Sequence, residues 1–297
     1  MFRGKTSKHL SRQGAEEDRR QVPFTKRPDS CIVGAMDIFA FNADTLMSFL
    51  LTLTRVSLVV FLLPFFGGEY IPPLVKAALA MVMAMAIWPH LSFPGSHFPA
   101  HPWNIALLIL SEAVLGLIMG LCVHFIFAGI KTGGEIMGFQ MGFTMITLAD
   151  PASGGQASIT SNILHLVTLI VFLALDGHLH LLRALSGSFA LVPPGGLSIG
   201  GALLQDILTL SAGMFTLAVK IAAPAITALL MVELTLALMG RAAPQMNLLT
   251  MGFPLKIAVG FFFMGIMFTT LSLHMEEIII GLGAMFDRIM ALAGTGG

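Results

Sequence analysis

Charged residues are scarce in this sequence. Of its 297 residues, 11% are Asp, Glu, Lys or Arg and 56% are hydrophobic, whereas a soluble domain has about 25% charged residues. So little charge excludes an ordinary water-soluble domain and is typical of membrane or membrane-like helical proteins. We therefore expect contact with a membrane and no nucleic-acid partner.

Sequence signals of catalysis and metal binding are missing as well. The two cysteines, Cys31 and Cys122, are far apart and form no metal or redox motif. The sequence contains no Walker loop, HExxH, CxxC, GxSxG or serine–lysine pattern. His178 and His180 are two residues apart, a spacing that points them in different directions on a helix. We predict no enzymatic activity and no cofactor, and we favour structural roles for the histidines over a metal site.

The first 35 residues differ in character from the rest. They hold eight of the sixteen Lys and Arg residues but only four of the sixteen Asp and Glu residues, so they carry +4 and the remainder −4. They lack the apolar region of a standard signal peptide. We interpret residues 1–35 as a basic, disordered tail, and as an over-extended gene start because Met36 resembles a natural beginning. Contact with a membrane surface is a further interpretation.

The remaining residues, 36–297, contain about five or six apolar segments. Several are short or interrupted by proline, which a lone helix in lipid tolerates poorly unless neighbours satisfy the freed carbonyls. We predict an all-α, polytopic membrane-type protein of kinked helical hairpins, with kinks at Pro224 and Pro254 and an amphipathic end over 274–297. The predicted apolar helices are 47–66, 74–88, 104–130, 158–175, 202–239 and 248–273.

An unusual segment, MGFQMGFTMITLADPASGG, follows the third of these helices at residues 137–155. In an extended chain, alternate side chains point to opposite faces. One face would then be a flexible ridge of sulfur and phenyl groups formed by Met137, Phe139, Met141, Phe143 and Met145. Methionine packs adaptively against changing partners, so this ridge suits a seal, although Met-rich stretches often only fill a core or a subunit interface.

Ionisable residues lie within or at the ends of the apolar segments, among them Arg55, Glu112, Glu233 and Arg241. A charge at the centre of a bilayer costs about 2.5–3.5 kcal/mol on insertion scales. These residues therefore indicate either an ion-coupled path or structural pairing, and their scatter along the chain favours pairing. Lys131 and Glu135 are four residues apart, which predicts a local ion pair.

The C-terminal half resembles the FliR family, which includes the T subunits of virulence-type type III secretion systems. The residues that carry the resemblance are an Ala-Pro pair within a helix, an acidic residue further along, an R-x-x-P-Q-x-N block and G-F-P-L-K. They are Ala223–Pro224, Glu233, Arg241, Pro244, Gln245, Asn247 and Gly252–Lys256. Arg55 with PFFGGEYIPPLVKAALA, and Glu112 followed by Gly116 and Gly120, extend the resemblance towards the N-terminus.

The resemblance implies a subunit of the flagellar type III export gate in the inner membrane, within the basal body. A FliP-like part would be followed by a FliQ-like part, and the chain would assemble with FliP and FliQ, near FlhB and FlhA. Unfolded flagellar proteins would pass through the resulting channel, which would lie largely above the membrane plane, and the Met/Phe segment would plug it. A virulence-type T subunit and an ion-coupled secondary transporter are the alternatives.

Overall fold

The computed structural model describes residues 43–66, 71–90, 101–143, 158–243, 245 and 248–294. The chain divides into two compact units, residues 1–45 and 46–297. The predicted tail, residues 1–35, and the proposed start at Met36 lie outside the described residues.

All of the regular structure in the described part of the chain is helical, which confirms the all-α prediction. A short 3₁₀ helix, Trp88–His90, follows the second of seven α-helices. These are α1 (Ala43–Leu62), α2 (Pro73–Ile87), α3 (Pro102–Met141), α4 (Ile159–Ala174), α5 (Gly177–Leu191), α6 (Gly201–Ala242) and α7 (Leu248–Gly294).

Four of these helices, α1, α3, α6 and α7, are long and apolar enough to cross a membrane, and α4 with α5 would make a fifth span if the pair counts as one. The polytopic membrane character is therefore confirmed. The axes of α4 and α5 differ by 70°. Asp176 joins them in the left-handed region, with φ at 56°, which Asp tolerates better than most residues.

Local sequence signals account for several helix ends. Prolines open α2 at Pro73 and α3 at Pro102, where the missing N–H costs nothing because the first turn leaves it unpaired. Gly142 ends α3 with φ at 88°. Glycine adopts this left-handed conformation without a Cβ penalty, which makes it the usual residue after a helix.

Two predicted helix boundaries are wrong. The third helix does not end near residue 130 but continues to Met141, through Gly133, Gly134 and Gly138. The last helix does not end at residue 273 but runs for 47 residues to Gly294. Neither glycines nor charged side chains stop a helix whose other face is buried, because tertiary packing outweighs local propensity.

The amphipathic end predicted over 274–297 is confirmed as the second half of α7. Its buried residues recur every three or four positions, which places them on one face of the helix. They are Leu271, Met275, Ile279, Leu282, Phe286, the neighbours Ile289 and Met290, and Ala293. Pro224 and Pro254 lie inside α6 and α7, where each removes one backbone hydrogen bond, and the kinks stay a prediction.

Helix α3 packs against α4, α6 and α7, and α7 also packs against α5 and α6. Glycines allow the closest approaches. A Cβ at Gly129 would lie 2.9 Å from the carbonyl oxygen of Met214 in α6, and one at Gly134 would lie 2.7 Å from the Cα of Ser161 in α4. Helix α3 is thus held between two neighbours by positions that tolerate no side chain.

Candidate functional site

A fully buried ion pair joins the first and third helices. Nε of Arg55 lies 2.6 Å from Oε2 of Glu112, and neither side chain is exposed to solvent. Arg55 is in α1 and Glu112 is in α3, 57 residues later in the chain. Each helix therefore carries the countercharge that the other needs in an apolar environment.

The remaining donors of Arg55 are also satisfied. Nη1 donates to the hydroxyl of Ser188 at 3.2 Å, and Nη2 donates to the carbonyl oxygen of Val192 at 3.1 Å. The guanidinium carbon lies 4.1 Å from the ring centroid of Phe189, a cation–π arrangement. The amide of Gly195 donates to the other carboxylate oxygen of Glu112 at 3.4 Å. The pair thus also binds α5 and the turn that follows it.

Two glycines of α3 set how closely α1 approaches the ion pair. A Cβ at Gly116 would lie 2.6 Å from the carbonyl oxygen of Arg55, and one at Gly120 would lie 2.5 Å from the side chain of Leu62. The sequence singled out Arg55, Glu112, Gly116 and Gly120, but it did not show that they meet. Sequence reasoning missed the partners Ser188 and Val192, which lie in the segment GSFALVPPG at residues 187–195.

The predicted local ion pair between Lys131 and Glu135 is not formed. The three ion pairs in the described part of the chain all join residues on different helices. Spacing of four along a helix makes such a contact geometrically available, but its gain is only about 0.2–0.5 kcal/mol. That gain is too small to fix two long, partly exposed side chains in one geometry.

A second ion pair connects the two longest helices. Nζ of Lys256 in α7 lies 2.6 Å from Oε1 of Glu233 in α6, and the two side chains are 22% and 40% exposed. Arg241, in the last turn of α6, and Gln245, in the turn after it, are exposed. Pro244 and Asn247 of the same motif lie outside the described residues.

The Met/Phe segment is not extended over its first five residues, so its predicted single ridge is wrong. Met137, Phe139 and Met141 belong to α3, where each residue turns the side chain by about 100°. Positions four apart share a face, whereas the residue midway points away. Accordingly, Met137 and Met141 are 1% and 0% exposed, and Phe139 is 66% exposed.

The buried end of this segment packs on α7. A Cβ at Gly260 would lie 2.5 Å from Sδ of Met141, so the absence of a side chain there makes room for the thioether. Phe143 and Phe261 meet edge to face with ring centroids 6.2 Å apart. Met145 lies outside the described residues. The arrangement can anchor one end of the segment on α7 while Phe139 stays exposed.

These residues do not form a metal centre. In the part of the chain that the structure describes, no group of three His, Cys, Asp or Glu side chains is placed to hold a metal ion. The geometry provides a helical frame held by a buried ion pair and close helix contacts, with the Met/Phe segment at the end of α3.

Residues 46–281 match the model of a protein family described as bacterial export proteins, family 1. The chain belongs to this family. The match spans the Arg55–Glu112 and Glu233–Lys256 ion pairs, Arg241 and the whole Met/Phe segment.

Curated relatives agree with the family match. The chain is 31% identical over 226 residues to the flagellar biosynthetic protein FliR of Escherichia coli, covering 76% of this chain and 86% of the relative. It is 26% identical over 256 residues to FliR of Bacillus subtilis, covering 85% and 98%. It is 27% identical over 217 residues to the surface presentation of antigens protein SpaR of Salmonella typhimurium, covering 72% and 80%.

Proposed function

We propose that this chain is a subunit of the type III export gate that assembles the bacterial flagellum, in the inner membrane. It would form part of the channel through which unfolded flagellar proteins pass. The observation that carries the proposal is the family match over residues 46–281, together with two FliR relatives of which the chain covers 86% and 98%.

The surface of α6 and α7 supports an assembled state. Both helices carry many large apolar side chains that are more than one-third exposed, and exposed apolar surface of this kind marks sites of contact with protein or membrane. They include Leu208, Phe215, Leu234, Leu238, Phe262 and Leu273. We propose that FliP and FliQ cover this surface together with lipid. FlhB and FlhA would lie nearby. Within the chain, a FliP-like part would precede a FliQ-like part.

The alternatives are weaker. A virulence-type T subunit agrees with the similarity to SpaR, but identity is higher to FliR of Escherichia coli, at 31% against 27%. An ion-coupled transporter would leave the family match unexplained. It also needs charges along a path, whereas Arg55 and Glu112 are buried and bound to each other.

Deleting the gene and affinity-purifying the tagged chain from its native host tests the proposal. We expect loss of motility and of secreted flagellar subunits in the deletion strain, restored by the intact gene. We also expect FliP-like and FliQ-like chains in the purified material. Normal motility, or a homogeneous monomer with no other subunit, would contradict the proposed function.

For the gate itself, we propose that the segment 137–145 contributes to the plug that closes the channel. Phe139 is the exposed apolar group available for sealing in the described part of the segment, while Met137 and Met141 hold the segment against the helices. Phenylalanine provides bulk with only two rotatable side-chain bonds, which suits a seal that re-forms after each passage.

Substitutions on the two faces of the segment are expected to give two different phenotypes. Phe139→Ala is expected to leave the protein folded and assembled but to increase entry of ions and small solutes, because it removes exposed bulk. Met141→Ala removes a fully buried side chain, so it is expected to destabilise the fold by about 2–5 kcal/mol. The measurements are recovery of the complex and conductance of cells that express it. The plug proposal fails if Phe139→Ala assembles fully and does not leak.

Arg241 is proposed to dock another gate subunit. It is exposed in the last turn of α6, and its guanidinium offers five donors for carbonyls or carboxylates of a partner. Arg241→Ala is expected to lower the yield of co-purified subunits several-fold with unchanged stability of the chain itself. Arg183→Ala, which removes an exposed arginine from α5, is the matched control and should have no such effect. Equal yields from the two variants would contradict the docking role.

A further inference from the structure

A basic cleft lies between α1, α3 and α4 and shares no residue with the buried ion pair. Its volume is about 550 Å³, and its polar lining comes from His124, Lys131, Thr132 and His165. His124 and Lys131 are seven residues apart on α3, a spacing of two turns that places them on one face of the helix. No acidic residue lines the cleft among the described residues, so Lys131 has no countercharge within it.

One polar atom at the wall of this cleft lacks a partner in the isolated chain. Nδ1 of His165 is buried and has no hydrogen-bond partner in the described part of the chain. The ring of Phe127 meets the imidazole edge to face, with centroids 6.1 Å apart, and so restricts its orientation. A buried polar atom without a partner is unfavourable. The isolated chain thus carries a cost here that a polar group from another molecule would remove.

Lys131 is the permanent positive charge of the cleft. The three ion pairs in the described part of the chain do not include it, even though Glu135 lies one turn further along α3. Its ammonium group has three donors, and the hydroxyl of the next residue, Thr132, adds a fourth. A carboxylate accepts at both oxygens, and hydrogen bonds to charged groups are about twice as strong as neutral ones. The donors of the cleft therefore fit a carboxylate.

The apolar walls of the cleft favour a protein side chain over a small ion. Phe61 and Leu62 of α1 line it together with Phe127, and Phe61 is 42% exposed. A water molecule takes up about 30 Å³ of liquid, so an ion of comparable size fills little of the cleft and leaves these apolar groups in contact with water. A side chain with an aliphatic stem and a charged end uses both kinds of lining.

Helix α4 carries an exposed apolar stripe that begins before His165 and continues after it. Its members are spaced three, four or seven residues apart, which places them on one face of the helix. They are Ile159, Leu166, Ile170 and Leu173, all more than one-third exposed. Exposed apolar surface of this kind marks a contact with protein or membrane, and an amphipathic helix packs its apolar residues on such a face. A helix that covers this stripe would bring its own side chains to the cleft.

We propose that the cleft binds an aspartate or glutamate side chain from a helix of a neighbouring subunit. The carboxylate accepts from Lys131 and Thr132, and the apolar face of the same helix covers the stripe on α4. Covering the cleft removes water, which strengthens the charge-assisted contacts and makes a neighbour with a cation at that place unfavourable. The cleft thus helps to determine which subunit lies beside this face. The proposal rests on the proposed function, because it requires other subunits around this chain.

The test uses the complex purified in detergent through a tag on this chain. A carbodiimide activates carboxylates and joins them to amines that are already in contact, with no added spacer. Mass spectrometry of the digested product then identifies the two residues of each new amide. We expect Lys131 to be joined to an Asp or Glu of a different chain.

Substitutions at Lys131 test whether the contact supports assembly. Lys131→Glu places two carboxylates in the cleft, so the yield of the coupled subunit is expected to fall about tenfold or more, because like charges repel strongly at an interface. Lys131→Arg, which retains the charge at the same position, is the matched control and should give nearly the normal yield. Replacing the coupled acidic residue by Lys in the Lys131→Glu background should restore the yield, which a folding defect at position 131 would prevent.

Three results would overturn the proposal. One is coupling of Lys131 only to carboxylates of its own chain, such as Glu135. Another is an uncoupled Lys131 in a complex that contains other subunits, which leaves a soluble anion or a lipid as the occupant. The third is an equal yield of the complex from Lys131→Glu and Lys131→Arg. Purification of this chain without any other subunit is a different outcome, because it contradicts the proposed function itself and removes this proposal with it.

Discussion

Arg55→Met is expected to destabilise the protein by about 3–5 kcal/mol, because it leaves the carboxylate of Glu112 buried without a countercharge. Glu112 is completely buried, so water cannot replace the lost guanidinium. The carbonyl oxygen of Val192 would lose its side-chain donor as well. The measurement is the free energy of unfolding in detergent, followed by the recovery of folded protein after heating.

Lys256→Met is the matched control for this prediction. It removes a cation from an ion pair with the same separation, 2.6 Å, whose side chains are 22% and 40% exposed. This pair is only partly buried in the isolated chain, so its loss is expected to cost about 0–1 kcal/mol. The double variant Arg55→Met/Glu112→Leu should regain a large part of the stability lost in Arg55→Met, since no charge is left buried. Equal losses in Arg55→Met and Lys256→Met would show that burial does not determine the effect.

Gly116→Val is expected to force α1 away from α3. It would thereby disrupt the Arg55–Glu112 ion pair without changing either charged residue. Even a methyl group at this position would lie 2.6 Å from the carbonyl oxygen of Arg55, and backbone cannot move aside as a flexible side chain can. Overpacking of a well-packed interior typically costs about 1–3 kcal/mol, and loss of the Arg55–Glu112 geometry adds to that cost. The expected results are a lower unfolding temperature and a poor yield of folded protein.

Gly213→Ala tests whether the effect at Gly116 comes from space or from helix propensity. A Cβ at Gly213 meets nothing within 4 Å, and alanine is favoured over glycine within a helix by about 0.5–1 kcal/mol. This control is therefore expected to be neutral or stabilising, as is Gly187→Ala, which is equally open. Destabilisation of similar size at Gly116 and Gly213 would contradict the close-approach argument.

The Met/Phe segment shows where reasoning from pattern failed. Alternation of Met and Phe with small residues predicted an extended chain, and the glycine pair Gly133–Gly134 before the segment favoured a break in the helix. The glycines instead serve close helix contacts, as at Gly134, so α3 continues and divides the segment between two faces. Local composition predicted a flexible segment. It carries no information about the helices that pack against α3, and that packing keeps the segment helical.

By itself, the sequence determined the class of protein, most of the helices and the residues of interest. Low charge required an apolar environment, apolar runs predicted the helices, and charged residues after residue 273 predicted the amphipathic end of α7. Arg55, Glu112 and Glu233 stood out because charge is costly among apolar residues. Tertiary structure alone decided that Arg55 meets Glu112 across 57 residues, that Glu233 meets Lys256, and that Met137 and Met141 are buried while Phe139 is exposed. These contacts depend on how closely whole helices pack against one another, and the missing side chains at glycine positions allow that approach. The spacing of apolar residues within one helix does not contain this information.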